Sequence, residues 1–263
     1  MKQVHSYEEL APVLSAQLRR GVMTNTTLTQ EEWRQEISSG TLWLQSWEGG
    51  VLLLRRREKH AVLNFYLQDT VLPDNFVWDG PTVLEIAARP RDEGLLRAAA
   101  FWRTKGFQEL FRRERLTLPK DTAVAAGEGL LTARIADLSD AGAVYVLFRE
   151  NFDLITGCLP TEKALEYDLN TGNIVCAVTP EGETAGLLHI TPGRGASQLR
   201  HLAVRKKYRR QGGAQRMLAC YLEHTGYARS QVWVRTDNEA GQRFYRKNGY
   251  APDGWTSTVL YRL

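Results

Sequence analysis

The spacing of apolar residues along this chain alternates between the period of a strand and the period of a helix. Strands separated by turn-forming residues are predicted at Thr41–Trp47, Val51–Arg57 and Ala61–Leu67. Helices are predicted after Ser6 and after Thr29, because each is a capping residue followed two and three positions later by glutamates. The first half of the chain is therefore predicted to be mixed α/β structure.

The same order of signals recurs after residue 125. Further strands are predicted at Leu131–Ala136, Ile174–Val178 and Ala185–Ile190. Helices are predicted at Asp140–Phe148, with Ser139 as a cap, and at Pro160–Asn170.

Two pairs of segments also align by sequence. LTQEEWRQEISSGTLWL from Leu28 aligns with LPTEKALEYDLNTGNIVC from Leu159, and AAAFWRTKGFQEL from Ala98 aligns with GQRFYRKNGYAPD from Gly241. A repeat near half of the 263 residues predicts two copies of one domain, divided as residues 1–122 and 128–263.

One stretch carries most of the candidate chemistry: LRHLAVRKKYRRQGGA, residues 199–214. An apolar strand leads into a basic cluster and two glycines, and the predicted helix Gly212–Thr225 follows. Unpaired N–H groups of a first helical turn point at an anion, and glycine lets phosphate oxygens approach where a Cβ atom would clash. This stretch is predicted to bind the pyrophosphate of a cofactor.

The two copies differ at this stretch. About two dozen residues separate Val204 from the next predicted strand, Gln231–Arg235, whereas about fifteen separate Leu67 from its equivalent, Val83–Ala88. The shorter connection has no room for the basic turn and a helix of several turns. The first copy is therefore predicted to have lost its phosphate cradle, which leaves one cofactor site in the chain.

Composition and charge narrow the partners. The net charge is +4, and the dense basic run at residues 205–210 adjoins glycines and a helix start, which favours a phosphorylated cofactor over nucleic acid. The three cysteines, Cys158, Cys176 and Cys220, lack pairing parity and CxxC spacing. They are expected to be buried thiols, with no disulfide framework and no metal site. The chain has no signal-peptide core and no apolar run near the roughly 18 residues of a membrane span, so a cytoplasmic protein without membrane partners is expected.

Three segments of the second half, taken in order, resemble the GNAT acetyltransferase superfamily. RRQGGA at residues 209–214 resembles the R/Q-x-x-G-x-G/A acetyl-CoA motif, Asn238 and Tyr245 resemble the N-x-x-x-x-x-x-Y segment, and RKNGY at 246–250 resembles the Tyr-x-x-x-Gly-Phe ending before the predicted strand Thr256–Arg262. The resemblance covers about Leu130–Leu263 and extends more faintly to residues 1–118. It implies an α/β (α+β) fold of two tandem GNAT-like domains, each a mixed, mostly antiparallel twisted sheet flanked by helices.

The resemblance also implies a cofactor role for the matched residues, with acetyl-CoA as co-substrate and no metal. In this family the strand equivalent to Leu199–Val204 splays from its neighbour and binds the pantetheine arm, so the implied cofactor-binding residues are Leu202, Ala203, Val204, Arg209, Arg210, Gln211, Gly212, Gly213, Ala214, Gln215 and Asn238. A backbone N–H on that strand would stabilise the oxyanion of the reaction. Asn238 has an alternative role as the N-cap of the predicted helix Glu239–Lys247.

Tyr245 is the implied catalytic acid, because a phenol can protonate the departing CoA thiolate. The first copy has Trp102 at the matching position, which cannot supply that proton. The sequence leaves the general base open: the candidates are His201 on the key strand, a water chain, and the weaker His189, Glu150, Asp153 and Glu162.

The acceptor is expected to be a primary amine of a small molecule or peptide, bound around Phe148–Leu159 and acetylated by direct transfer. Two alternatives stay open, a non-catalytic acyl-CoA sensor and an aminoacyl-tRNA-dependent transferase. The sequence does not fix the identity of the amine, the acyl length or the oligomeric state.

Overall fold

A computed structural model describes residues 1–17, 21–73, 80–193, 195–226 and 228–263. The first half of this described chain contains β1 (Lys2–Gln3), α1 (Tyr7–Ala16), β2 (Met23–Thr24), α2 (Gln30–Ser38), β3 (Leu42–Trp47), β4 (Gly50–Arg56), β5 (Ala61–Leu67), β6 (Thr82–Ala88), α3 (Glu93–Thr104) and β7 (Gln108–Leu118). The second half contains β8 (Thr132–Ile135), α4 (Ala141–Asn151), α5 (Glu162–Asn170), β9 (Ile174–Val178), β10 (Thr184–Thr191), β11 (Ser197–Val204), α6 (Gly213–His224), β12 (Ser230–Arg235), α7 (Glu239–Lys247) and β13 (Ala251–Arg262).

Local sequence sets most helix starts as predicted. Ser6 caps α1, and Thr29 forms a reciprocal capping box with Glu32 at the start of α2. The prediction for Ser139 is wrong: Asp137 caps a short 3-10 turn that leads into α4, and α4 itself has no side-chain cap. The N–H and hydroxyl groups of Ser139 both donate to Asp137 Oδ1, so the Ser139 side chain belongs to this turn and not to the start of α4.

The chain folds into two compact units. The first combines residues 1–113 with residues 254–263, and the second contains Glu114–Asp253. The predicted division into residues 1–122 and 128–263 stays a prediction, because it concerns copies in the sequence, whereas the compact units follow spatial contacts.

In the first unit the strands are ordered β1-β3-β4-β5-β6-β13, with β2 beside β5. β5 and β6 are parallel, and the other pairs are antiparallel. Alternate residues of β4 enter two apolar clusters: Leu52 and Leu54 pack with Trp102, and Leu53 packs with Trp33. Leu260 of β13 is fully buried in the cluster around Trp102.

In the second unit the strands are ordered β7-β12-β11-β10-β9-β8. Leu116 and Leu118, from the end of β7, are fully buried in an apolar cluster with residues of β10, β11 and α6. A second cluster, around Phe148 of α4, lies under Leu187 and Cys176. Each unit therefore contains the last strand of the other copy's sequence: β13 in the first unit and the end of β7 in the second.

The predicted fold class is confirmed: each unit is a mixed, mostly antiparallel sheet with helices packed on it. The exchange of last strands is not predicted by the sequence. Among the described helices, none is long and apolar enough to cross a membrane.

Candidate active site

The parallel strands β11 and β12 separate partway along their length. Their pairing covers Ser197–Leu199 of β11, whereas β11 pairs with β10 as far as Val204. Arg200 is the extra residue of a bulge between Leu199 and His201, where the register with β10 shifts. Leu202, Ala203 and Val204 follow this point, so their backbone lies along the opening between the two strands.

β11 leads directly into the predicted phosphate cradle. After a 3-10 turn at Lys206–Tyr208, Arg210 and Gly212 adopt left-handed backbone conformations, with φ of 64° and 77°. No side chain of the described residues caps the first turn of α6. The N–H groups of Gly213, Ala214 and Gln215 therefore carry the positive end of the helix dipole, which is the geometry that binds an anion.

The two cradle glycines are also required by packing. A Cβ atom on Gly212 would lie 2.3 Å from the carbonyl oxygen of Glu128, and one on Gly213 would lie 2.7 Å from Cδ1 of Leu131. The side chain of Gln215 donates to the carbonyl oxygen of Ala125 at 2.7 Å. The segment before β8 thus packs on the cradle, which explains the glycines without any ligand.

Several basic side chains beside the cradle have protein partners. Glu183, in the turn between β9 and β10, pairs with Arg205 at 2.9 Å and Lys207 at 3.0 Å and accepts a hydrogen bond from the Tyr208 hydroxyl group. Arg209 Nε donates to the carbonyl oxygen of Val204 at 3.0 Å, which holds this cation at the end of β11.

Tyr245 of α7 lies in the same apolar cluster as Leu202 and Val204. Its side chain is buried, and its ring packs 5.3 Å from that of Tyr250. Burial, together with a smaller effect of Tyr221, raises the pKa of Tyr245. A phenol with a raised pKa keeps its proton at neutral pH, as an acid that protonates a thiolate requires.

Asn238 caps α7: its Oδ1 atom accepts a hydrogen bond from the backbone N–H of Gly241 at 3.0 Å. Of its two predicted roles, the structure therefore shows the N-cap. A contact of Asn238 with a cofactor stays a prediction.

Two buried histidines form a chain of hydrogen bonds. His189 of β10 and His201 of β11 are cross-strand partners, and their Nδ1 atoms are 3.0 Å apart. His189 Nε2 lies 3.0 Å from Asp168 Oδ2, and His201 Nε2 lies 2.6 Å from the carbonyl oxygen of Gly157. The sequence names the two histidines only as separate base candidates. They pair because the bulge at Arg200 shifts the register by one residue, so the strand pattern alone would have placed His189 opposite Arg200.

The weaker base candidates are occupied or remote from this chain of bonds. Glu150 lies 3.4 Å from Arg205. Asp153 accepts from the backbone N–H groups of Ile155 and Thr156 at 2.9 and 2.8 Å. Glu162 lies in the first turn of α5.

The first unit has a similar divergence of parallel strands, but its own chain fills it. The pairing of β5 with β6 covers only Ala61 and Val62 of β5. Beyond it, Asn25 Nδ2 donates to the carbonyl oxygens of Leu63 at 2.9 Å and Glu85 at 3.1 Å. Asn25 Oδ1 also accepts from the N–H of Phe65 at 2.9 Å, and β2 pairs with the end of β5.

Two further features belong to the first unit. Trp102, which corresponds to Tyr245, is fully buried and packs 5.4 Å from Phe65 and 5.6 Å from Phe107. Residues 74–79 of the connection predicted to be too short for a cradle lie outside the described residues. The described remainder of that connection forms no helix.

The three cysteines differ in their exposure to solvent. Cys176 is buried and Cys220 is half-buried, but Cys158 is exposed, so the expectation that it is a buried thiol is wrong. Gly157 and Cys158 form a tight turn, with Cys158 at a φ of 50°, which directs Cys158 outward. Within the described residues no group of three or more His, Cys, Asp or Glu side chains could hold a metal ion.

Comparison with known proteins gives matches at two levels. Residues 170–252 match the family described as "Acetyltransferase (GNAT) domain". No curated protein sequence matches the chain.

Solved structures match nearly the whole chain. A GCN5-related N-acetyltransferase from Sphaerobacter thermophilus has 16% identity and a TM-score of 0.60, over 96% of this chain and 90% of its own. A tandem GNAT protein from the clavulanic acid biosynthesis pathway has 14% identity and a TM-score of 0.60, over 95% and 91%. A GNAT-family acetyltransferase from Colwellia psychrerythraea has 14% identity and a TM-score of 0.58, over 99% and 98%.

At these identities the solved structures are informative about the fold alone, and they extend that fold over both units. The family match falls on residues 170–252, which include β11, the cradle and Tyr245. Residues 170–252 of the second unit therefore match a GNAT acetyltransferase domain, and nearly the whole chain has the fold of solved GNAT proteins, one of them a tandem GNAT protein.

Proposed function

We propose that the second unit transfers an acetyl group from acetyl-CoA to a primary amine of a small molecule or peptide. The observation that carries this proposal is the opening between β11 and β12, followed directly by the uncapped first turn of α6. The opening offers strand backbone to an extended arm, and the helix start offers N–H groups to a diphosphate. These features fit acetyl-CoA, which supplies the thioester when bound.

Each predicted residue then has a defined task. The backbone of Leu202, Ala203 and Val204 binds and orients the cofactor arm, and an N–H of this stretch stabilises the developing oxyanion. The amides from Arg209 to Gln215 hold the diphosphate, with the charges of Arg209 and Arg210 beside them. Tyr245 holds a proton on its hydroxyl oxygen and donates it to the departing sulfur.

We also propose that the chain has a single cofactor site. In the first unit Asn25 and β2 occupy the free edge of β5, which corresponds to the edge of β11 that would bind the arm. A bound arm would need these same backbone groups. The Trp102 side chain cannot replace the acid role proposed for Tyr245.

The cofactor site is tested by calorimetric titration of the full chain with acetyl-CoA. We expect one equivalent per chain and at least about tenfold weaker binding for Arg210→Ala, since loss of one well-placed charge contact costs about 1.4 kcal/mol. Arg97→Ala is the matched control, because Arg97 is an exposed arginine on α3 of the first unit. Equal affinities for the two variants would contradict the cradle assignment, and two equivalents would contradict the single site.

The reaction is tested by measuring free CoA in the presence of polyamines, aminoglycosides, amino acids and peptides with free N-termini. Acetylation of one class of amine supports the proposal. Tight acetyl-CoA binding without turnover of any amine would contradict it and support the sensor. Salt-sensitive binding of tRNA without acetyl-CoA binding would support the aminoacyl-tRNA alternative.

A further inference from the structure

The chain of hydrogen bonds from Asp168 through His189 and His201 to Gly157 fixes how many protons it contains. A backbone carbonyl oxygen and a carboxylate accept hydrogen bonds and do not donate them. His201 Nε2, bonded to the carbonyl oxygen of Gly157, must therefore carry a proton, and with Asp168 ionised so must His189 Nε2. The bond between the two Nδ1 atoms needs one more proton. With Asp168 ionised, three bonds thus require three ring protons, whereas two neutral imidazoles have two.

Charge balance accounts for the third proton. Both rings are buried, at 6% and 5% exposure, and a single buried cation would be strongly disfavoured. Asp168 supplies the compensating negative charge, and its other oxygen accepts from Asn173 Nδ2 at 3.0 Å. The set of Asp168, His189 and His201 is then neutral overall with all three bonds made. The ring planes differ by 1° with centroids 5.2 Å apart, which is compatible with a straight N–H···N bond between the two Nδ1 atoms.

The far end of the chain of bonds holds the loop that the acceptor is expected to contact. We call residues 152–158 the acceptor loop. His201 binds its Gly157 carbonyl oxygen, and the Phe152 ring packs edge-on against the His201 ring at 4.7 Å. Inside the loop, Gly157 N–H donates to the carbonyl oxygen of Asp153 at 2.8 Å, so the loop is a closed turn attached to β11 through His201.

We propose that His189 and His201, with the proton that Asp168 balances, are positioning residues that latch the acceptor loop onto β11, and that His201 is not the general base. This proposal rests on the proposed function only in naming the loop's substrate. A base must have a free lone pair, and in this arrangement the outward nitrogen of His201 donates to Gly157. The pair can accept no further proton while the latch is closed.

Loss of the third proton opens the latch. The described groups that face the pair include Asp168 of α5, Phe148 and Phe152 from the end of α4, and the Gly157 carbonyl; Ile174 of β9 pairs with His189. With two ring protons, the Nδ1 lone pairs face each other, the His189 Nε2 lone pair faces the Asp168 carboxylate, or the Gly157 bond is lost. Only the last arrangement is relieved when the loop moves away. The latch is therefore closed at low pH and opens as pH rises.

Asp168→Asn distinguishes this latch from an ordinary buried pair. An asparagine amide can donate to His189 Nε2, after which His189 Nδ1 donates to His201 Nδ1 and His201 Nε2 donates to Gly157. All three bonds then form with two neutral rings. We expect Asp168→Asn to keep the loop latched and to remove its dependence on pH, whereas His201→Leu, which lacks the donor to Gly157, unlatches the loop at every pH.

Hydrogen exchange of residues 152–158 in the full chain measures the latch without any substrate. The measured quantity is the protection factor of the wild type divided by that of Asp168→Asn at the same pH. We expect this ratio to fall at least about tenfold between pH 6 and pH 9. His201→Leu should lack the protection at both values, and His224→Gln, an exposed histidine at the end of α6, is the matched control. Equal protection of wild type and Asp168→Asn at both pH values would overturn the proposal.

Nitrogen-15 NMR of histidine side chains, assigned through single His→Gln variants, gives a direct count of ring protons. We expect three protonated nitrogens on the His189–His201 pair in the wild type and two in Asp168→Asn; two in the wild type would overturn the proposal. Once an amine is found, His201→Leu should raise its KM with kcat little changed. A fall in kcat with unchanged KM would instead support a base role for His201. These readouts remain informative if no amine is acetylated, so failure of the latch and failure of the proposed function are distinguishable.

Discussion

Replacing Asn25 by alanine should destabilise the first unit more than the loss of one ordinary hydrogen bond. Its side chain makes three hydrogen bonds that join the diverging strands: to Leu63, Glu85 and Phe65. Each is worth roughly 1 kcal/mol net, and alanine leaves three backbone groups without that partner. The expected cost is therefore about 3 kcal/mol, a large share of the roughly 5–15 kcal/mol by which a domain is stable.

The measurement is urea denaturation, followed by hydrogen exchange of the β5 and β6 amides because two compact units need not unfold together. With a typical slope of about 2 kcal/mol per molar urea, the midpoint should fall by about 1.5 M. Asn151→Ala is the matched control, since Asn151 Nδ2 makes one bond, to the carbonyl oxygen of Leu147 at 2.9 Å, and its loss should cost about 1 kcal/mol. If Asn25→Ala lowered the free energy of unfolding by no more than Asn151→Ala does, the conclusion that Asn25 fills the divergence between β5 and β6 would be refuted. Acetyl-CoA affinity should not change, because the proposed cofactor site lies in the other unit.

Three further outcomes are expected. Tyr245→Phe keeps the buried ring and should leave acetyl-CoA affinity within about twofold while lowering kcat by at least about tenfold. An unchanged kcat in this variant would remove Tyr245 from the mechanism. Because burial raises the pKa of Tyr245, the kcat of the wild type should not fall through ionisation of this phenol near neutral pH. When the native protein is treated with a thiol reagent at pH 8, peptide mass spectrometry should find Cys158 modified, because it is exposed, and Cys176 unmodified. Burial raises the pKa of the Cys176 thiol to about 12. Modification of Cys176 before Cys158 would contradict its burial. Leu260→Ala should destabilise the first unit by about 2–5 kcal/mol in the same urea assay, although Leu260 comes from the second copy's sequence, and a loss confined to the second unit would contradict the strand exchange.

Local signals in the sequence predicted local structure well. The bounds of β5, β9 and α7 are those predicted, because each element is delimited by turn or capping residues that act on their own neighbours. The local structure of the proposed cradle was predictable for the same reason: a strand, a basic turn, glycines and a helix start are contiguous. Its glycines proved to be required by packing as well, which a motif does not reveal.

Features that depend on distant residues were not predicted. Asn25 lies 38 to 60 residues from the carbonyl groups it joins, and nothing local distinguishes it from other polar loop residues. The bond between His201 and Gly157 spans 44 residues and depends on where a loop folds back. The strand exchange cannot be predicted from the hydrophobic pattern. β7 and β13 are each the last strand of a copy, and the side-chain pattern of each would suit either sheet.

The exchange of last strands determines when the first unit can complete its folding during synthesis. The first unit needs Gly254–Leu263, which the ribosome adds only after the whole of Glu114–Asp253. Its sheet edge at β6 must wait unpaired, with the core position of Leu260 unfilled, for the time taken to make about 140 residues. Domain-by-domain maturation from the N-terminus is thereby prevented, and a fragment that stops between the copies would expose an apolar sheet edge of the kind that aggregates. The two copies are sequential in the gene but must mature together as proteins.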